Sequence, residues 1–364
     1  MDAPNPSQKL LPDVFLRWFA TRGWSPRAHQ YALLENSREN RSALLIAPTG
    51  AGKTLAGFLP TLVELSGRGS SSTANTASTG RGVTRSSGLH TLYISPLKAL
   101  AVDIARNLER PIADMKLPIR VETRTGDTPV SRRQRQRKYP PDILLTTPEQ
   151  LALLLSSDDA PYLFSSLKRI VLDELHALVT SKRGDLLSLG LARLWQLAPH
   201  VTTTGLSATV AFPDDLRRYL VPQKTDTENL ADLVVADAGA APIVEMLDTK
   251  ERLPWAGHMA RHALGEIYDL IGKNKTSLIF VNTRAQAEML FQDLWRMNDD
   301  NLAIALHHGS LDVGQRRKVE DAMAAGKLRG VVCTSSLDLG IDWGDIDLVI
   351  TVGAPKGASR LMQR

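Results

Sequence analysis

Short apolar runs separated by helix-patterned segments recur along the whole chain, and that alternation leaves few folds open. The runs are Ala43-Leu-Leu-Ile-Ala47, Thr91-Leu-Tyr-Ile-Ser95, Ile143-Leu-Leu-Thr-Thr147, Ile170-Val-Leu-Asp173 and Thr203-Thr-Gly-Leu-Ser207. Ser277-Leu-Ile-Phe-Val281, Ala303-Ile-Ala-Leu306, Gly330-Val-Val-Cys-Thr334 and Asp347-Leu-Val-Ile-Thr-Val352 follow. Near-continuous runs of this kind, bounded by Pro or Gly and spaced by helices, signify parallel strands covered on both faces. The fold class is therefore α/β. A chain of 364 residues is long enough for two cores. The polar stretch Pro222-Gln-Lys-Thr-Asp-Thr-Glu-Asn229 interrupts the pattern, which predicts domains at 1–222 and 223–364. Residues 66–88 form a Ser/Thr/Gly tract, the composition of a flexible surface insertion in the first domain.

Bulk properties narrow the class of function. With 43% apolar and 23% charged residues, neither wholesale disorder nor a membrane protein is favoured. A net charge of +5 suits a polyanionic partner. The single cysteine, Cys333, excludes an intramolecular disulfide framework and a thiolate zinc site, and its apolar neighbours make it a buried strand residue. There is no signal peptide pattern and no apolar stretch approaching the ~18 residues of a membrane span, so a cytoplasmic location without membrane contact is expected.

The chemistry begins at Ala47-Pro-Thr-Gly-Ala-Gly-Lys-Thr54, which follows a strand and precedes the helix-compatible Leu55-Ala-Gly-Phe-Leu59. This is the placement of a P-loop. Gly50 and Gly52 let backbone N–H groups wrap phosphates, Lys53 can reach the β and γ oxygens of ATP, and the Thr54 hydroxyl can ligate Mg²⁺. The competing reading is a Gly-rich turn that binds nothing. Asp173-Glu-Leu-His176 ends a strand and supplies the acids such a loop needs. Asp173 would hold Mg²⁺, and Glu174 would orient and deprotonate the hydrolytic water. Alone, an acidic pair at a strand end is equally a helix cap.

Other motifs occur in a fixed order: Pro96-Leu-Lys-Ala-Leu100, Thr125-Gly-Asp-Thr128, Thr146-Thr-Pro-Glu149, Ser207-Ala-Thr209, Ile279-Phe-Val-Asn-Thr-Arg284 and Thr334-Ser-Ser-Leu-Asp-Leu-Gly-Ile-Asp342. Together with the P-loop and the acidic motif, this series resembles the superfamily 2 DExH-box helicases. Arg27-Ala-His-Gln30, Ser181-Lys-Arg-Gly184 and Asp342-Trp-Gly-Asp-Ile-Asp347 resemble the large-helicase-related (Lhr) family, in particular its ligase-associated DEXH branch. The resemblance implies two tandem RecA-like P-loop NTPase domains, ATP and Mg²⁺ as cofactors, and 3′ to 5′ movement on nucleic acid. Single-stranded DNA or a DNA–RNA hybrid is the implied partner, with DNA ligase and nuclease association as hints from the family name, and a monomer is expected.

Site residues follow from the same resemblance. The ATP site comprises Arg27 and Gln30, which would read adenine, then Ala47, Pro48, Thr49, Gly50, Ala51, Gly52, Lys53 and Thr54, with Gly340 and Asp342 approaching from the second domain. His176, Ser207 and Thr209 would link hydrolysis to the strand. Pro96, Lys98, Gly126, Thr147, Thr283, Arg284 and Thr334 would line the nucleic-acid track. Such loop N–H groups, hydroxyls and cations grip phosphate and sugar without reading bases. Thr147 and Pro148 also make a sound helix start.

Arg132-Arg-Gln-Arg-Gln-Arg-Lys138 is the densest basic run; it can touch phosphates or form a solvated helix face. His307-His308 invites a metal, but without further ligands loop histidines near the track are the expectation. The second domain is expected to be incomplete, since Arg364 falls in a helix-like stretch with no closing element. In the family two arginine fingers stand three and six residues beyond that position, so this polypeptide is expected to bind ATP, hydrolyse it slowly and unwind poorly. The leading function is an ATP-dependent DNA helicase or translocase in repair. An RNA helicase and a non-catalytic ATP-dependent clamp remain alternatives.

Overall fold

Strand-forming residues assemble into two parallel sheets. The computed structural model describes residues 10–48, 50–67, 88–208, 210, 212–223, 228–237, 243–249, 260–337 and 346–354. It divides into two compact units, Met1–Gly239 and Ala240–Arg364. In the first unit the strands are β1 (Ala43–Ile46), β2 (Thr91–Ile94), β3 (Val121–Arg124), β4 (Ile143–Thr146), β5 (Arg169–Leu172), β6 (Thr202–Ser207) and β7 (Asp232–Val235). They lie in the order β3-β4-β2-β5-β6-β1-β7, all parallel.

Alternate residues of β1, β2, β4 and β5 enter opposite cores. Leu45, Tyr93, Leu145 and Val171 join one cluster, whereas Leu44, Leu92, Leu144 and Ile170 join the other. Two covered faces explain why these strands read as unbroken apolar runs. The edge strands lack that pattern. Val-Glu-Thr-Arg of β3 is only partly buried, and β7 leaves Val235 63% exposed. Both therefore escape a search for apolar runs. β7 pairs with β1 in the register Ala43 to Asp232, and the first compact unit runs to Gly239. Most of the 66–88 insertion lies outside the described residues.

The second unit carries β8 (Ser277–Val281), β9 (Ile304–His307), β10 (Gly330–Cys333) and β11 (Leu348–Val352), all parallel in the order β11-β8-β10-β9. Ile279 and Val332 face one core, and Leu278, Val331 and the free Cys333 face the other. Among the described residues no helix is long and apolar enough to cross a membrane.

A polar knot fixes the first sheet at the edge away from the site. Arg169, the first residue of β5, is 7% exposed and donates to Thr202 Oγ1 at 2.7 Å, to the Ser37 carbonyl at 2.9 Å and to Glu64 Oε1 at 3.1 Å. Glu64 sits near the end of the helix Lys53–Ser66 and also meets His90 Nε2 at 3.0 Å. Burial opposes the Glu64 charge, but hydrogen bonds from His90 and Arg169 outweigh it and lower the carboxyl from 4.5 to about 2. Breaking a buried pair from one side costs about 3 kcal/mol. Arg169→Met should therefore lower stability by about that amount at neutral pH, as measured by denaturant melts. A depressed carboxyl stabilises the fold above pH 4.5, and that contribution fades as pH falls toward 2. The gap between wild type and variant should narrow across the same window.

Candidate ATP site and nucleic-acid track

The strand order places three functional turns side by side. β6 lies between β5 and β1, so Ser207 at its end stands between the P-loop after β1 and the acidic pair after β5. The Ala47 N–H donates to the Ser207 carbonyl at 3.1 Å, and the Asp173 N–H to the Ile94 carbonyl at 3.0 Å. Ligands of open α/β sheets collect at this edge.

Within the P-loop, Gly50 and Gly52 adopt φ of +77° and +73°. Glycine holds such angles without the penalty of a Cβ. The helix Lys53–Ser66 starts directly after Gly52, leaving its first-turn N–H groups to an anion. The Arg27-to-Gln30 segment packs against this loop. Arg27 Nη1 donates to the Gly50 carbonyl at 3.3 Å, and the Arg27 N–H donates to Gln30 Oε1 at 2.9 Å. His29, given no role by the sequence reading, is buried with Nε2 3.0 Å from the Ala51 carbonyl. Burial lowers its pKa, which favours a neutral ring donating that hydrogen bond. Thr49 lies outside the described residues.

Asp173 and Glu174 are 4% and 5% exposed. Tyr93, from the neighbouring strand, donates its hydroxyl to Asp173 Oδ2, and the Glu174 N–H donates to Asp173 Oδ1 at 2.8 Å. Tyr93 carried no signal in the sequence because it sits inside an apolar run. Burial first, then the charge of Glu174, raises the Asp173 pKa; burial raises that of Glu174, while Lys53 favours ionisation of both. Glu174 also has φ 47° and ψ 43°, a left-handed conformation that is strained for a non-glycine residue. Strain, burial and charge thus concentrate on the acidic turn.

The donor set fits a hard divalent cation. The Asp173 carboxylate and Thr54 hydroxyl are oxygen donors suited to Mg²⁺, and the cation would offset the buried negative charge. Among the described residues no three His, Cys, Asp or Glu side chains cluster as metal ligands, so phosphate oxygens and water would complete the shell. His307 and His308 form no such group. His307 ends β9 and His308 starts the loop after it; both are buried and paired, with Glu320 at 3.1 Å and Glu288 at 3.2 Å.

His176 joins the acidic turn to β6. Its Nδ1 lies 3.1 Å from Ser207 Oγ, and its Nε2 lies 3.5 Å from Glu174 Oε2. The acidic pair and the Ser207 turn are therefore in contact through one imidazole. Thr209, Gly340 and Asp342 lie outside the described residues.

The remaining first-unit motifs end strands at the same edge. Pro96 and Lys98 follow β2, Gly126 follows β3 and Thr147 follows β4. Lys98 Nζ reaches Asp127 at 3.2 Å, next to Gly126. In the second unit, Thr283 caps the helix Arg284–Arg296 and accepts the Gln286 N–H at 3.2 Å. Thr334 follows β10, which is paired to both β8 and β9, so Thr283, Arg284 and Thr334 share one edge of that sheet.

The basic run forms the helix Val130–Lys138, a largely solvent-exposed helix of which Gln136 is buried and several arginines reach partners in the fold. Arg135 pairs with Glu122 at 2.9 Å and Arg137 with Asp159 at 3.6 Å. Arg133 donates to the carbonyls of Thr128 at 2.8 Å, Gly126 at 2.7 Å and Thr125 at 3.4 Å. Arg133 braces the Gly126 turn. Arg133→Ala should weaken binding of single-stranded nucleic acid roughly tenfold, since charge-assisted hydrogen bonds contribute about 1.5–3 kcal/mol. Binding titrations at several salt concentrations would test this. The salt slope should hold steady, whereas a direct phosphate contact would lower it by about 1.

Residues 27–216 match the DEAD/DEAH box helicase family and residues 260–364 the helicase conserved C-terminal domain. The chain is similar over 99% of its length to the structure of Mycobacterium smegmatis helicase Lhr bound to ssDNA and AMP-PNP, with 34% identity, a TM-score of 0.78 and 46% of that chain covered. It is 36% identical over 356 residues to the ATP-dependent helicase Lhr-Core of Methanothermobacter thermautotrophicus, covering 93% of this chain and 39% of that protein. It is 35% identical over 396 residues to the Lhr helicase/probable uracil glycosylase of Mycolicibacterium smegmatis, covering 95% of this chain and 25% of that protein. The chain thus spans less than half the length of these relatives. Two tandem RecA-like domains carrying a P-loop, an acidic strand end and helicase motifs in order place the chain in the DEAD/DEAH box helicase family, among proteins similar to Lhr.

Proposed function

We propose that this chain is the ATP-driven core of a helicase or translocase acting on DNA. The observation that carries the reading is the juxtaposition, on neighbouring strand ends, of a P-loop and a buried acid pair, with one histidine linking the acids to Ser207. Lys53 and the helix N-terminus bind and orient the triphosphate, while Arg27 and Gln30 border the loop where adenine would be read. Glu174 accepts a proton from the attacking water as its oxygen adds to the γ-phosphorus, while the bond from that phosphorus to the β–γ bridging oxygen breaks and ADP leaves. Thr54 and Asp173 would hold Mg²⁺, which supplies positive charge to the β and γ oxygens.

His176 and Ser207 transmit the state of the acidic turn, with Thr209 as the third residue of that link. The turns at Pro96, Lys98, Gly126 and Thr147, and separately those at Thr283, Arg284 and Thr334, grip the strand by backbone and hydroxyl groups. Such contacts carry little base preference. DNA as substrate and a repair role are supported by similarity to an Lhr structure bound to ssDNA and to an Lhr helicase whose name includes a probable uracil glycosylase.

Stimulation of ATP turnover by single-stranded DNA and by RNA of matched length tests the proposal. Stimulation by DNA is expected. Selective stimulation by RNA would reassign the substrate, and no stimulation by either would favour an ATP-dependent clamp.

A further inference from the structure

Arg183 belongs to no nucleotide or strand contact assigned above, yet it touches two track turns at once. Its Nε and Nη2 donate to the two carboxylate oxygens of Glu149, at 2.5 and 3.0 Å, and its Nη1 donates to the Pro96 carbonyl at 2.5 Å. Pro96 lies in the turn after β2. Glu149 lies in the first turn of the helix Pro148–Leu155, whose N-cap is Thr147. The hydrogen bonds from Arg183 lead in lowering the Glu149 carboxyl to about 2, with Thr147 adding a further bond. One guanidinium thus joins two loops that follow neighbouring strands, β2 and β4.

The other end of this connection leads to the acidic turn. The helix Leu175–Val179 begins directly after Glu174, and the helix Lys182–Leu197 begins after Ser181, with Arg183 in its first turn. The corner between them is tight. The Ser181 N–H and hydroxyl both bond the Leu178 carbonyl, at 3.1 and 2.8 Å, and a Cβ on Gly184 would collide with that same carbonyl. Tyr219 donates to the Gly184 carbonyl at 2.6 Å and locks the corner from the other side. A short, stiff lever therefore runs from Glu174 to Arg183.

We infer that Arg183 is a positioning residue that couples the nucleotide site to the nucleic-acid track. A shift of the Asp173-Glu174 turn would move Arg183, and Arg183 would move the Pro96 and Thr147 turns together. The inference rests on the helicase reading of the two sites. It adds a route separate from the His176 contact to Ser207.

Coupling is reciprocal, and this gives a readout that plain loss of structure would not move. For the wild type, the affinity for a labelled single-stranded DNA oligonucleotide would be measured with and without a non-hydrolysable ATP analogue, and the affinity for the analogue with and without the oligonucleotide. The two ratios should be equal, within the roughly 5–150-fold range of such effects. In Arg183→Ala both ratios should fall toward 1, while analogue affinity without DNA stays within about twofold of wild type. Glu149→Gln and Arg183→Lys, which weaken the bidentate contact, should give intermediate ratios. Lys182→Ala removes the same charge from an exposed neighbour and should leave both ratios intact.

Wild-type ratios in Arg183→Ala would overturn the inference while leaving the helicase reading standing. Equal falls in Lys182→Ala and Arg183→Ala would overturn it too, by assigning the effect to bulk charge. A wild type that binds neither ATP analogue nor nucleic acid would instead defeat the helicase reading itself.

Discussion

Glu174→Gln should reduce strand-stimulated ATP turnover by about 10²–10⁴-fold, the range supplied by a general base, while nucleotide binding stays near wild type. The amide keeps the shape of the carboxylate and can still orient water, but it cannot take the proton. Removing a buried charge should also raise stability slightly, since burial penalises the ionised carboxyl. Steady-state turnover, analogue binding and a thermal melt on the same preparation separate these effects. Unchanged turnover would remove Glu174 from the chemistry, and a loss of turnover matched by a lower melting temperature would point to misfolding.

Lys53→Ala should lower turnover by about 10²–10³-fold, the cost of losing one preorganised donor to developing charge, and should weaken nucleotide binding as well. The two variants differ in kind. Lys53 stands in the first turn of the P-loop helix, where bound phosphates meet it in both ground and transition states. Glu174 acts on the water alone. A rise in the KM for ATP in Lys53→Ala, with none in Glu174→Gln, would be the signature of this division. Lys53 also favours ionisation of Asp173 and Glu174, so its removal makes the acidic pair harder to charge. Part of the loss should therefore persist even at saturating ATP.

Inner strands such as β1, β2, β4 and β5 and their order of motifs were legible in the sequence because residues buried on two faces are mostly apolar. Leu44 and Leu45 enter opposite cores, so the run Ala43–Ala47 has no polar gap. β3 and β7 were not legible, since an edge strand has one neighbour and tolerates Glu122, Arg124 and Asp232.

At the site, glycine at left-handed turns and acids at strand ends leave compositional traces, whereas braces do not. Arg133 and Arg183 look like solvated charges until the carbonyls they bind are known. His29 and Tyr93 are equally silent, one beside a recognised glutamine and one inside an apolar run. The basic run on Val130–Lys138 shows the limit most clearly. The helix is the mostly exposed face that charge density allows, but pattern alone did not show that Arg135 and Arg137 pair with Glu122 and Asp159 or that Arg133 binds three carbonyls.

The left-handed backbone at Glu174 carries a consequence for variation at this position. Glycine would relieve the dihedral strain and remove a charge that burial disfavours, so a sequence optimised for folding alone would place it there. Screens that reward only solubility or heat resistance should therefore drift toward inert versions of this protein. Resistance to heat and capacity for turnover pull this one residue in opposite directions.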